Sequence, residues 1–189
     1  MTGSSSQQDN ESAASPQRDY PNRSVLGGVV GIWTSNLDSL PAPRTQELVA
    51  ELEELGYAAL RFGEAFGREA FTNASMFLCA TNRLVVATGI ANIFVRDAST
   101  TNAAANTLAG GYPGRFVLGL GISHRPMVEM RGHGYSSPLS TMRTYLQDMR
   151  EARFTAVQPE HNPPWLLAAL GLSMLGLSRD LTDGAHPTW

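Results

Sequence analysis

The chain has 189 residues, 42% of them hydrophobic and 16% charged, with a formal net charge of -3 at pH 7. That is long enough to bury a sizeable core in one domain, and the charge gives no electrostatic reason to expect nucleic acid or an anionic membrane as a partner. All 14 basic residues are arginine, which excludes a lysine Schiff base or a P-loop lysine, and the single cysteine, Cys79, excludes an intrachain disulfide and a cysteine-built zinc site.

Residues 1–24 are rich in Ser, Gln, Asn and Asp and nearly free of large apolar side chains. Such a stretch cannot bury enough surface to offset the entropy of ordering, so a disordered leader is expected, with one domain over 25–189. No segment is apolar enough over a sufficient length to span a bilayer, and the N-terminus lacks the apolar core of a signal peptide, so the default expectation is the cytoplasm.

The first strand is expected over 25–33, ending in Thr34-Ser35-Asn36. Pro41 and Pro43 then open a helix whose Leu48, Val49, Leu52 and Leu55 share a face, and Gly56 stops it. Residues 57–62 form the second strand, delivering Glu64, and a helix follows over 69–81. Cys79, in the apolar setting Met76-Phe77-Leu78-Cys79-Ala80, reads as a buried helical thiol.

Residues 84–93 are mostly apolar and partly β-branched, as in a strand buried on both faces. Asp97 and Ser99 are candidate caps for an alanine-rich helix over 101–109 that closes at Gly110-Gly111. A second such strand covers 116–121 and completes a βαβ unit ending in Ile122-Ser123-His124. Residues 125–138 read as a loop, 140–153 as a helix, and the proline-rich 158–164 as a linker. The fifth strand (165–170), a helix (171–181) and the start of a sixth strand (183–187) follow. Regular alternation of this kind argues an α/β parallel sheet or barrel. A complete (β/α)8 barrel needs roughly 250 residues, and this chain supplies about six βα units.

Polar residues gather where the strands end: Thr34, Ser35 and Asn36; Glu64; Asn92 and Arg96; Ser123 and His124; Gly171 and Ser173; His186. In a barrel they converge on one rim. Glu64 follows an apolar run and is flanked by Ala65-Phe66. Desolvation there would raise its pKa and suit proton transfer or substrate orientation, while a structural carboxylate paired with Arg61 or Arg68 is equally compatible with the spacing. Gly119 and Gly121 either let the backbone approach an anionic or planar ligand or serve strand packing. Arg96 and the helix start at Gly171-Leu172-Ser173 are candidate phosphate contacts, with a surface role for the arginine as the alternative. The four histidines show no metal-ligand spacing, so no metal is expected.

Several segments occur in a recognisable order: Trp33-Thr34, Phe62-Gly63-Glu64-Ala65-Phe66-Gly67-Arg68-Glu69, Ala87-Thr88-Gly89-Ile90-Ala91-Asn92-Ile93 and Arg96-Asp97. After them come Pro113-Gly114-Arg115-Phe116-Val117-Leu118-Gly119-Leu120-Gly121-Ile122-Ser123-His124, Ala168-Ala169-Leu170-Gly171 and Asp183-Gly184-Ala185-His186-Pro187. Together they resemble the bacterial-luciferase-like superfamily and, within it, the actinobacterial oxidoreductases that use coenzyme F-420. The resemblance covers about residues 26–187 and implies a TIM-barrel (β/α)8 fold with a deazaflavin at the strand C-termini. Its reaction would be hydride transfer between that cofactor and a small organic substrate, with FMN as the alternative cofactor.

The same resemblance implies a non-proline cis bulge near Ala91-Asn92 and a cofactor lined by Thr34, Ala91, Asn92, Gly121, Ser123 and His124. Arg96, Gly171 and Ser173 would meet its phosphate, and Glu64 would stand near the reacting ring. Two departures stand out. The family pattern continues past Pro187 into strands seven and eight, and after Gly171 it commonly shows proline and a basic residue where this chain has Leu172-Ser173. An incomplete barrel is expected to close as a homodimer, to pair with a separately encoded remainder, or to be an inactive truncated remnant.

Overall fold

The computed structural model describes residues 30–187, so the expected leader and the start of the first strand lie outside the described residues. Six strands run through this range: β1 (Gly31–Trp33), β2 (Ala59–Gly63), β3 (Val85–Asn92), β4 (Phe116–Gly121), β5 (Trp165–Ala168) and β6 (Gly184–His186). The helices are α1 (Ala42–Glu54), α2 (Ala70–Cys79), α3 (Ala98–Gly111), α4 (Arg125–Met130), α5 (Pro138–Glu151) and α6 (Leu172–Leu181). No helix among the described residues is long and apolar enough to cross a membrane.

All neighbouring strands are parallel and their spatial order is the chain order, β1-β2-β3-β4-β5-β6. Crossovers of one hand between strands added in one direction place every helix on the same face of the sheet. Side chains along the strands sort accordingly. Leu60, Phe62, Val86, Phe116, Leu118, Leu120 and Leu167 join the large core beneath the helices with Phe77, Leu78, Leu146 and Met149. The alternate positions Ala59, Val85, Ala87 and Val117 form a separate small cluster on the other face, with Leu166 against it. Small side chains on that face let the sheet roll toward it. A flat six-stranded sheet would hold its outermost strands about 24 Å apart, yet the rings of Trp33 on β1 and His186 on β6 meet edge to face with centroids 5.2 Å apart. The sheet is a half-barrel.

The roll is accompanied by irregularities in register between Arg61 and Gly63 on β2 and between Ala87 and Ala91 on β3. At the second, Gly89 has φ +53°, a conformation that glycine tolerates and other residues resist. Thr88 stitches the bulge to β4: its Oγ1 donates to the Gly119 carbonyl (2.8 Å) and accepts from the Gly119 amide (2.9 Å). The bulge is therefore real, but the expected cis bond is not found, since no described peptide bond is cis.

Other boundaries moved for local reasons. Asp97 caps α3 by accepting from the Thr100 amide (2.8 Å), so the helix begins at Ala98; Gly110 and Gly111 stay helical and the chain turns only at Tyr112-Pro113. Within the expected loop 125–138, Pro126 in the first turn opens the short helix α4, and Gly132 (φ +82°) turns the chain after it. Cys79 is exposed, because the last residue of α2 points away from the core that Phe77 and Leu78 fill.

At the N-terminal side of the sheet the buried Glu53 accepts from the amides of Asn82 (3.1 Å), Arg83 (2.5 Å) and Leu84 (2.6 Å). Arg115 donates to the carbonyls of Thr81 (3.0 Å), Leu78 (3.2 Å) and Leu84 (3.2 Å), closing the end of α2. Burial pushes the Glu53 carboxyl up, but the three amides outweigh it and hold the group below its ordinary range. Glu53→Gln presents an NH2 group to these donors and is expected to lose about 1–3 kcal/mol in urea denaturation at neutral pH. Because the folded-state pKa is depressed, the stabilisation is complete above the ordinary carboxylate pKa and fades as pH falls through the lowered one. The gap between wild type and variant must therefore narrow in acid.

Candidate functional site

Parallel strands deliver their C-terminal residues to one edge, and that edge carries the candidate site. Glu64, immediately after β2, is its most heavily bonded side chain. Oε1 accepts from the Ala70 amide (3.0 Å), and Oε2 accepts from the Asn92 amide (2.8 Å) and Arg96 Nη1 (2.9 Å). Arg96 Nη2 completes a two-pronged ion pair at Oε1. Four donors thus fill the four lone-pair positions of one carboxylate. Arg96 also reaches Glu69 (2.6 Å), and its guanidinium lies 4.9 Å from the centroid of Phe71. Glu69 in turn caps α2 by accepting from the amides of Phe71 (3.1 Å) and Thr72 (2.7 Å). Burial raises the Glu69 pKa, but the Thr72 amide and hydroxyl and the Phe71 amide outweigh it, so the group lies below its ordinary range.

This geometry corrects two expectations. The partner of Glu64 is Arg96, whereas Arg68 bonds the carbonyls of Leu37 (2.9 Å) and Leu40. With every acceptor position engaged, Glu64 is an anchor that fixes the start of α2 to the end of β3, and it offers no free oxygen for proton transfer. Arg96, whose side chain is 8% exposed and engaged by two carboxylates, is not free to meet a phosphate.

Asn92 donates its amide to Glu64 and accepts from the Phe94 amide at Oδ1 (3.0 Å). Its Nδ2 is buried with no hydrogen-bond partner, and Ala91 beside it is fully buried. Gly121 pairs with Asn92 across β3 and β4. A Cβ there would meet Ile90 Cγ2 at 2.3 Å and Ala168 Cβ at 3.6 Å, so the missing side chain makes room for Ile90. Ser123 has φ +59°, with its carbonyl facing the Tyr135 hydroxyl (3.4 Å), and the exposed His124 is the N-cap of α4. Thr34 Oγ1 accepts from the Asn36 amide (3.1 Å).

Gly171 is the N-cap of α6, with nothing within 4 Å of where a Cβ would stand. Leu172 and Ser173 follow in the first turn, where amides have no acceptor inside the helix. Glu64, Asn92 and Arg96 are thus joined by direct bonds, and Gly121 and Ser123 stand on the next strand. Thr34 and the Gly171–Ser173 turn lie on the same edge farther round the curl. A cavity of about 360 Å³ lined by Asn102, Asn106 and Trp165 opens at the opposite end of β5 and shares none of these residues.

Three side chains occupy the concave face below the rim. Trp33 lies across Gly63 and Gly89: its ring is 3.6 Å and 2.3 Å from where their Cβ atoms would be. His186 is 8% exposed, and its Nε2 is buried without a partner. Burial lowers the His186 pKa, the positive charge of Arg61 lowers it further, and the Pro187 carbonyl opposes them. Arg61 falls between Leu60 and Phe62, both in the helix-side core, so strand alternation turns it to the concave face. The importance of Arg61 and Glu69 was missed in the sequence; period two around Leu60-Arg61-Phe62 was the available signal for the first, and none was available for the second.

Comparison with known proteins agrees with this geometry. The family described as "Luciferase-like monooxygenase" matches residues 28–188. A curated relative from Mycobacterium tuberculosis, named "Putative coenzyme F420-dependent oxidoreductase Rv3520c", is 30% identical over 165 residues, 86% of this chain and 46% of its own. Among solved structures, an F420-dependent secondary alcohol dehydrogenase in complex with an F420-acetone adduct superposes with a TM-score of 0.74 at 17% identity, covering 83% of this chain and 57% of that one. The oxygenating constituent of 3,6-diketocamphane monooxygenase from Pseudomonas putida, in complex with FMN, gives 0.67 at 11% identity, over 83% and 57%. The chain spans about half the length of these proteins.

Proposed function

Because the chain belongs to the luciferase-like monooxygenase family, we propose that its rim binds coenzyme F-420 and serves hydride transfer between that deazaflavin and a small organic substrate. The observation that carries this reading is the roll of the sheet: Trp33 and His186, from the two outermost strands, meet within 5.2 Å. Six strand ends are thereby gathered around one hollow instead of being strung along a line.

The residues present fit such a group. Gly171 leaves open space at the N-terminus of α6, where the amides of Leu172 and Ser173 and the helix dipole suit a phosphate. Asn92 holds an unused amide donor at the end of β3, suited to a ring carbonyl. When bound, the cofactor supplies the hydride chemistry at its ring carbon. The protein contributes a rigid edge: Glu64, held by Arg96 and two backbone amides, fixes α2 and β3 relative to each other. FMN, bound by the P. putida neighbour, is the second reading. A homodimer, in the cytoplasm, accompanies either.

Titration of the purified protein with coenzyme F-420, followed by the cofactor's fluorescence, is expected to saturate, while FMN leaves it unchanged. Saturation with FMN alone would favour the second reading, and no response to either would end both. Ser173→Asp places a negative charge at the phosphate position while favouring the helix dipole, so cofactor binding should weaken at least about tenfold with no loss of thermal stability. Sedimentation of the same sample reports the mass in solution.

A further inference from the structure

We propose that Arg61 and His186, standing on the concave face of the half-barrel beside Trp33, form a subsite for the carboxylate of an anionic ligand. Two independent observations carry it. First, the Arg61 guanidinium has no hydrogen-bond or ion-pair partner among the described residues, although it is only partly exposed and turned to a face otherwise built from Ala59, Val85, Ala87 and Val117. A cation withdrawn from water among apolar side chains is costly until an anion joins it, and a guanidinium is shaped to take a carboxylate with two parallel bonds. Second, His186 is 92% buried by its 8% exposure, and its Nε2 finds no partner. Buried polar atoms are normally satisfied, and the ring that carries this one lies against Trp33, the register partner of Arg61.

The two groups act together. Arg61 is the charged residue whose field reaches His186, lowering its proton affinity, while Trp33 on β1 and Ala168, its register partner on β5, carry no charge. In the free protein burial and this repulsion hold the proton affinity of the ring below its ordinary value. A carboxylate between them cancels the repulsion. The ring then takes up one proton and Nε2 becomes a second donor to the bound oxygen, beside the guanidinium. Binding and proton uptake are linked, so affinity for the anion rises as pH falls through the range where the bound-state ring gains its proton. Trp33 walls the hollow and offers its ring to whatever the carboxylate is attached to.

The carboxylate belongs either to a substrate or to an acidic group of the cofactor. The assignment to a substrate rests on the redox reading of the rim; the subsite itself does not. The probe is sodium acetate, titrated at constant ionic strength into the cofactor-free protein, with the histidine ring signals followed by NMR. Expected results are saturable binding that strengthens from pH 8 to pH 6 and a His186 titration midpoint that moves up in acetate. Arg61→Gln should weaken acetate binding at least about tenfold, and His186→Phe, which keeps the edge contact with Trp33, should abolish its pH dependence. Acetate binding that is absent in the wild type, or unchanged in Arg61→Gln, overturns the subsite.

The titration is then repeated with coenzyme F-420 present. Simultaneous binding assigns the subsite to substrate, and competition assigns it to the cofactor. A protein that binds acetate but no cofactor keeps the subsite and loses the proposed function; the reverse result does the opposite.

Discussion

Arg96→Met should remove about 3–5 kcal/mol of unfolding free energy, seen as a large drop in the urea midpoint at pH 7. The reason is the state in which Glu64 is left. Its side chain is 3% exposed and the Arg96 side chain 8%, so deleting the guanidinium strands a carboxylate that two remaining amides, from Ala70 and Asn92, cannot neutralise. A typical domain has a total margin of about 5–15 kcal/mol, so such a loss brings the chain near its limit. The double variant Glu64→Gln with Arg96→Met carries no buried charge at this point and should lose less than the two single losses added together. A loss below about 1 kcal/mol for Arg96→Met would mean that the pair is hydrated, which contradicts its burial.

Gly119→Ala tests whether the glycines of β4 serve packing or a ligand. A Cβ at Gly119 would stand 2.5 Å from the Gly89 carbonyl oxygen and 2.7 Å from the Gly89 C and Cα. Those are backbone atoms of the bulge in β3, so no rotamer change relieves the clash, and the two strands must part where Thr88 bonds Gly119. The expected loss is about 3 kcal/mol, at the upper end of ordinary overpacking, measured on protein free of cofactor. A glycine needed only for the approach of a ligand would behave otherwise: the cofactor-free protein would keep its stability and only binding would suffer.

Most of the architecture was legible because the strands are marked by composition. The runs 84–93 and 116–121 are apolar enough to belong to a sheet covered on both sides, and the proline and glycine between elements set the boundaries of α1 and β4 to within a residue or two. What the sequence withheld lies in the third dimension. Glu64 had three arginines within reach of a loop, and only the twist that brings Arg96 over the start of α2 selects one of them. Gly121 was equally compatible with a ligand and with strand packing, and the side chain that packs there, Ile90, is named only by the structure. His186 could be placed at a strand end from its position after Asp183-Gly184-Ala185, but its unpartnered nitrogen became visible only when the curl brought β6 to Trp33.

Spatial order that repeats chain order, β1 to β6, has a consequence for how the molecule is made. As the chain leaves the ribosome, each βα unit emerges beside a partner strand already in place. No strand has to wait for a distant stretch of polypeptide, so loop-closure entropy stays small at every step. Assembly can advance like a zip from one edge, and the newest strand is the aggregation-prone one only until its successor arrives.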